Sequence, residues 1–265
     1  MFAAPTNANP TLELDFDTGN RSSLFPAGSY AMQIHFNNGD ISQMTTVAAG
    51  MFSGVAVEGV NTTIDTDKLF MDPGNVLAYC IDILDTLESH ATYDLISIED
   101  VGVYTDPDNK VERNFDRMLQ FLAAVNAVQG EKSSLSPDSK HWLRPSTPLM
   151  SGAIQLGIWE SLYEKSGEDL SVSEDGNDSQ RFYATVSSND ANWDVDATGL
   201  VFLNKVFDLV NDGISPVSAG DVLWAHNVGG QDLIIDPVDV PVPATGLLLL
   251  GGFGALAWRR RTDSG

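Results

Sequence analysis

The sequence predicts an α+β fold: β-sandwich or barrel-like strands with an inserted helical subdomain, closed by further strands. Three observations predict it. Short apolar alternations separated by turn signals fill the first hundred residues. Apolar stripes at helical spacing fill the middle. A glycine-centred pair of apolar runs follows them before residue 236.

The elements follow in order. Residues 11–17, 29–37 and 54–60 alternate apolar and polar side chains and are parted by PAGS and NNGD, so they read as strands. Residues 76–84, VLAYCIDIL, are almost all apolar, as in a strand buried on both faces. Residues 92–98 are a further short strand. Residues 113–128 place Phe115, Met118, Leu119, Leu122 and Val125 on one helical face, with Gly130 as a stop. Thr147-Pro148 starts a second helix running to Lys165, because threonine caps and proline suits the first turn. The polar stretch SGEDLSVSEDGNDSQ is then expected to be an exposed, mobile loop. Residues 196–211 form a third helix with Leu200, Leu203, Val206, Phe207 and Val210 inward. Residues 221–235 form a hairpin around a GG turn.

The chain has 265 residues, 43% apolar and 19% charged, enough for a real core. Its 37 acidic against 14 basic residues give a net charge of −23, which repels phosphate backbones and speaks against nucleic-acid binding. No cofactor motif stands out: there is no Walker loop, no G-x-S-x-G and no H-E-x-x-H. Asp190, Asn192 and Asp194 have calcium-loop spacing, but Val195 and Val201 occupy the positions that need glycine and an acid, so no metal is assigned. The acidic turn from Asp106 to Glu112 is expected to be exposed. Trp159, Trp193 and Trp224 read as core.

Cys80 is the only cysteine, so no internal disulfide can form. On the second helix, Gln155 sits in the apolar stripe with Ser151, Gly152, Ile158, Trp159 and Leu162, while Glu160 and Glu164 point the other way. A carboxamide in that stripe is costly unless its hydrogen bonds are met. Ser151 and Gly152 leave room for another chain to approach. A buried thiol and a buried glutamine suggest one reaction: sulfur attacks the carboxamide, ammonia leaves, and an internal thioester remains. The competing reading is that both residues only pack. A Cys–His hydrolase is a weaker third, since His35, His90, His141 and His226 lie in no recognisable motif.

YCID, residues 79–82, and AIQLGIW, residues 153–159, resemble the signature segments of bacterial thioester (TQXA-type) surface-adhesin domains. The resemblance implies Cys80 as nucleophile on a strand and Gln155 as acyl donor on a helix. Tyr79, Asp82 and Trp159 then support the bond, with Asp82 as a hydrogen-bonding strut. It implies single-turnover covalent attachment to an amine- or hydroxyl-bearing target, not an enzyme. The sequence departs at Ile154 and Gly157, where that family usually has Thr and Ala.

At the other end, DVPVPATGLLLLGGFGALAWRRR, residues 239–261, resembles a PEP-CTERM sorting signal of the VPxPA variant. Val240, Pro241, Pro243 and Ala244 form its short motif, with Val242 where the commoner motif has Glu. An uncharged apolar run follows, then Arg259, Arg260 and Arg261. The resemblance implies a Gram-negative exported protein, a C-terminal transmembrane sorting helix and processing by an exosortase-type protease. FAAPTNA, near the start, resembles the tail of a signal peptide cut after Ala8. The expected organisation is 1–10 signal remnant, 11–235 thioester-like domain, 236–242 linker and 243–265 sorting signal.

Overall fold

Alternating apolar residues close the first strands into a barrel. The structure, a computed structural model, describes residues 9–37, 42–99, 101–106, 111–130, 140–165, 167–172, 181–186, 198–235 and 237. In chain order the elements are β1 (Thr11–Asp15), α1 (Arg21–Leu24), β2 (Tyr30–Asn37), β3 (Ser42–Ala49), β4 (Phe52–Val57), α2 (Thr66–Leu69), β5 (Val76–Cys80), β6 (His90–Ser97), β7 (Val103–Thr105) and β8 (Glu112–Asn114). Then come α3 (Phe115–Gly130), α4 (Pro148–Tyr163), β9 (Phe182–Val186), α5 (Thr198–Asn211), β10 (Leu223–His226) and β11 (Leu233–Ile235). The fold is α+β. Six antiparallel strands form a closed barrel in the order β1-β4-β5-β11-β10-β6, and β3-β2-β9 form a separate sheet. Among the described residues no helix is long and apolar enough to cross a membrane. The expected sorting helix, the signal remnant and most of the linker lie outside the described residues.

The first strand and the late hairpin flank β6 and close the barrel. The first strand β1 pairs with β6, and the late hairpin β10–β11 fills the gap between β6 and β5. The GG turn of that hairpin is as the sequence predicts, with Gly229 at φ +82°, a conformation that favours glycine. β5 ends earlier than its apolar run suggests. β5 stops at Cys80, because the Asp82 carboxylate accepts from Leu84 N at 2.9 Å and turns the chain. β3 is not visible in the sequence, since as an edge strand it is largely exposed and carries no clean alternation.

The helix α4 begins as predicted: Thr147 accepts from Met150 N at 3.1 Å and Pro148 opens the first turn. Its surroundings correct the expected wet face. Every residue from Ser151 to Tyr163 is buried, Glu160 included, and Glu164 just beyond the helix is buried too. Beside the packing of α3 and α5 on this helix, the stretch 167–172, expected as an exposed loop, covers Glu160. Leu170 and Val172 are buried, and Ser171 N donates to Glu160 Oε1 at 2.6 Å, which lays this segment along the helix. Residues 173–180 lie outside the described residues.

Small residues let neighbours approach α4. A Cβ on Gly152 would lie 3.2 Å from Tyr30 Cβ and 3.4 Å from Ala49 O, so β2 and β3 cross the helix there. Ser151 Oγ accepts from Met51 N at 2.8 Å. On the α3 side, a Cβ on Gly157 would sit 2.1 Å from Phe121 Cζ. That ring leaves no room for a side chain at this position. Gly157→Ala is therefore expected to destabilise the native state by roughly 1–3 kcal/mol through overpacking, despite its helix propensity, as read from chemical denaturation midpoints.

Candidate functional site

Cys80 is the last residue of β5. On one side β11 pairs with it through Leu233, but the β4 ladder stops at Ala78. The main-chain groups of Cys80 that face away from β11 therefore meet no strand. Gln155 takes that place. Cys80 N donates to Gln155 Oε1 at 3.1 Å, and Gln155 Nε2 donates to Cys80 O at 2.7 Å. The carboxamide acts as a one-peptide strand, and its burial cost is met. Strand and helix thus bring Cys80 and Gln155 together, but through the backbone of the cysteine.

A second glutamine meets the sulfur itself. Gln231, in the turn between β10 and β11, lays Nε2 directly against Cys80 Sγ. The same nitrogen donates to Asp82 O at 2.8 Å and to Asp85 O at 3.2 Å. The thiol donates to Asp82 O at 2.7 Å. The Trp159 indole N–H is buried without a partner of normal hydrogen-bond geometry, yet lies near enough to the sulfur to favour its charged form. Burial and the Asp82 charge outweigh that help and push the thiol well above its ordinary range, so it is neutral. Sequence reasoning missed Gln231 because NVGGQDLII marks only a turn. Its position just after that turn, opposite the strand that ends in Cys80, was the one available signal.

Beside the sulfur lies a buried charge cluster, also missed. The sequence places Arg113 at the start of a helix. α3 begins only at Phe115, and Arg113 sits on β8, fully buried. Its NH2 reaches Asp82 Oδ2 at 2.7 Å and Asp106 Oδ2 at 3.3 Å, while NH1 reaches Asp232 Oδ2 at 2.5 Å. Asp106 is therefore not part of an exposed turn. Asp232 Oδ1 accepts from Asn227 N and pairs with His226 Nδ1, both at 2.9 Å. Burial raises the Asp82 carboxyl to about 6, against the pull of Arg113. Burial also opposes the Asp232 charge, but the His226 hydrogen bond and Arg113 outweigh it and hold this carboxyl below its usual value. The same hydrogen bond raises His226.

The other predicted residues divide. Asp82 braces Arg113 and Leu84 N with its carboxylate, while its main-chain oxygen meets the thiol. Tyr79 points away from the sulfur and packs beside Trp142, with ring centroids 6.1 Å apart. Among the described residues no histidine meets the sulfur. His90 faces Glu13 and Asp15, His35 stacks on Tyr183, and His226 serves Asp232. No group of three or more His, Cys, Asp or Glu among the described residues could hold a metal ion, and Asp190, Asn192 and Asp194 lie outside them. Val240, Pro241, Pro243, Ala244, Arg259, Arg260 and Arg261 also lie outside them. No family model, curated protein or solved structure matches this chain.

Two predictions follow from this geometry. Gln155→Leu orphans the N–H and C=O of Cys80, each costing about 1–3 kcal/mol, so denaturant unfolding should show a loss of at least one such increment. The pH dependence has a defined sign. Asp82 binds its proton more tightly when folded, so it makes stability fall as pH rises from its ordinary 3.8 to about 6. His226 contributes stability below its ordinary 6.5 that is lost as pH rises through its raised value. Asp232 works in reverse and loses its contribution as pH falls through its lowered value. Melting curves across pH should show Asp82→Asn removing the decline between about 4 and 6, and His226→Gln removing the decline above 6.5.

Proposed function

We propose that this chain is an exported surface protein that stores an internal thioester at Cys80 and spends it once, on an amine or hydroxyl of a target. The observation that carries the reading is a lone buried thiol pressed against a glutamine carboxamide. Of the two glutamines at Cys80, the geometry favours Gln231 as acyl donor. Gln155 has both polar ends committed to the cysteine backbone, whereas Gln231 presents its amide nitrogen to the sulfur. Gln155 is then the residue that holds the nucleophile still.

The chemistry is acyl transfer to sulfur. The S–Cδ bond forms on Gln231 and the Cδ–Nε2 bond breaks. The thiol proton leaves with the amide nitrogen as ammonia. Both groups already bond to Asp82 O, so proton donor and leaving group meet at one carbonyl. A neutral thioester also removes an ionisable group from a site that penalises its charge. Complete burial of Cys80 keeps water from the stored bond. When a target amine attacks, the C–N bond forms, the S–C bond breaks, and the amine proton restores the thiol. The Trp159 N–H is the donor at hand for charge on the departing sulfur. One acyl group per chain makes this a reactive binding module.

The tail supports the location. A VPxPA-like motif, an apolar run and an arginine cluster suit export, transient anchoring by a C-terminal transmembrane helix, and cutting by an exosortase-type protease. A second reading has a specific observation behind it: the fully paired Gln155 and the neutral thiol also suit an unreactive acidic envelope protein in which both residues only pack.

Intact mass separates these readings. The wild type should weigh one ammonia less than its sequence, and methylamine should add one amine. Cys80→Ala and Gln231→Glu should each carry full sequence mass and ignore methylamine. If Gln155→Glu alone abolishes the ammonia loss, the acyl donor is Gln155. A wild type at full mass with a titratable thiol leaves the packing role.

A further inference from the structure

Resting on the thioester reading above, we propose that Arg113 is a positioning residue for the bond, its fork holding the segment of the nucleophile against the turn of the acyl donor. The two segments are remote in sequence and meet through strand pairing, through the Gln231 carboxamide and through this side chain. Asp82 lies two residues after Cys80, and Asp232 directly follows Gln231. Arg113 comes from a third place, on β8, and gives NH2 to Asp82 and NH1 to Asp232. A planar guanidinium fixes the separation of two carboxylates as a single point charge cannot.

The constraint passes to the backbone on both sides. Asp82 uses its second oxygen on Leu84 N, which fixes the chain just past the cysteine. The Asp82 main-chain oxygen is the acceptor of the thiol and of Gln231 Nε2. Asp232 uses its second oxygen on Asn227 N and the His226 ring, which closes the turn bearing Gln231. Movement of the guanidinium therefore shifts sulfur and carboxamide relative to each other. Displacement of reacting atoms by about 1 Å costs on the order of a hundredfold in rate. A fully buried arginine facing Asp82, Asp106 and Asp232 is poor evidence of added stability, since desolvation offsets much of the attraction. Geometry at the adjacent bond gives the cluster a task that stability does not.

The test uses the full-length chain, with Arg113→Lys and Asp232→Asn beside the wild type. Each is isolated as folded protein, its melting temperature is recorded, and the fraction lacking one ammonia is read from intact mass. Both variants are expected to melt lower and to show at least tenfold less thioester per folded molecule. Asp232→Asn keeps the Asp82 arm of the fork and one of the two Asp232 acceptor oxygens, so it reports even if Arg113→Lys does not fold. Lower melting with undiminished thioester per folded molecule overturns the proposal, because Arg113 is then only structural. Failure of both variants to fold overturns it as well, since the fork is then needed by the fold. A wild type at full sequence mass is a different result: it removes the thioester reading itself, before any variant is made.

Discussion

The paired carboxamide of Gln155 is the interaction on which the rest of the structure depends. The barrel has a place, at the end of β5, where no neighbouring strand serves the Cys80 N–H and C=O. Buried main-chain groups without partners are costly, so something must fill it. A helix side chain does, and this ties α4 to the barrel at Cys80, beside the bond from Tyr163 of the same helix to Ile81 O. α4 in turn carries β2 and β3 across Ser151 and Gly152, and Phe121 of α3 across Gly157. The helical subdomain and the barrel are therefore joined at the cysteine.

The same junction explains why so much charge is buried there. With β5 stopped at Cys80, the next residues must turn, and Asp82 turns them. Its second oxygen then lies in the interior and needs a cation, which Arg113 supplies. The hairpin that completes the barrel brings Asp232 to the same guanidinium. Three aspartates around one arginine leave excess negative charge, and His226 on Asp232 relieves part of it. The cluster is a consequence of where the strand ends.

Much of this was legible in the sequence, and the residues show why the rest was not. Local signals were sound: the Thr147-Pro148 start, the hairpin about Gly229, and the placement of Cys80 on a strand and Gln155 on a helix all hold. Glu160 and Glu164 misled because a charged residue on the far face implies solvent, whereas Leu170 and Val172 fold over that face from a stretch of polar appearance. Arg113 misled because its place just before an apolar helical stripe hides a short strand. Gln231 was silent because it lies 151 residues from Cys80 and only barrel closure brings the two together. Local pattern predicts elements; the contents of a site made by strand order are not a local property.

That origin bears on the chemistry. A reactive cysteine is ordinarily activated by a neighbouring positive charge and partial exposure. Cys80 has the opposite surroundings: it is buried, and the acid beside it raises its pKa further. Such a thiol is a poor nucleophile toward anything that must arrive from solvent. Toward a carboxamide already in contact, proximity replaces activation, because the encounter has been made by folding and no charged thiolate need persist. For the thioester proposed above, the burial that disfavours a thiolate would also disfavour attack by water.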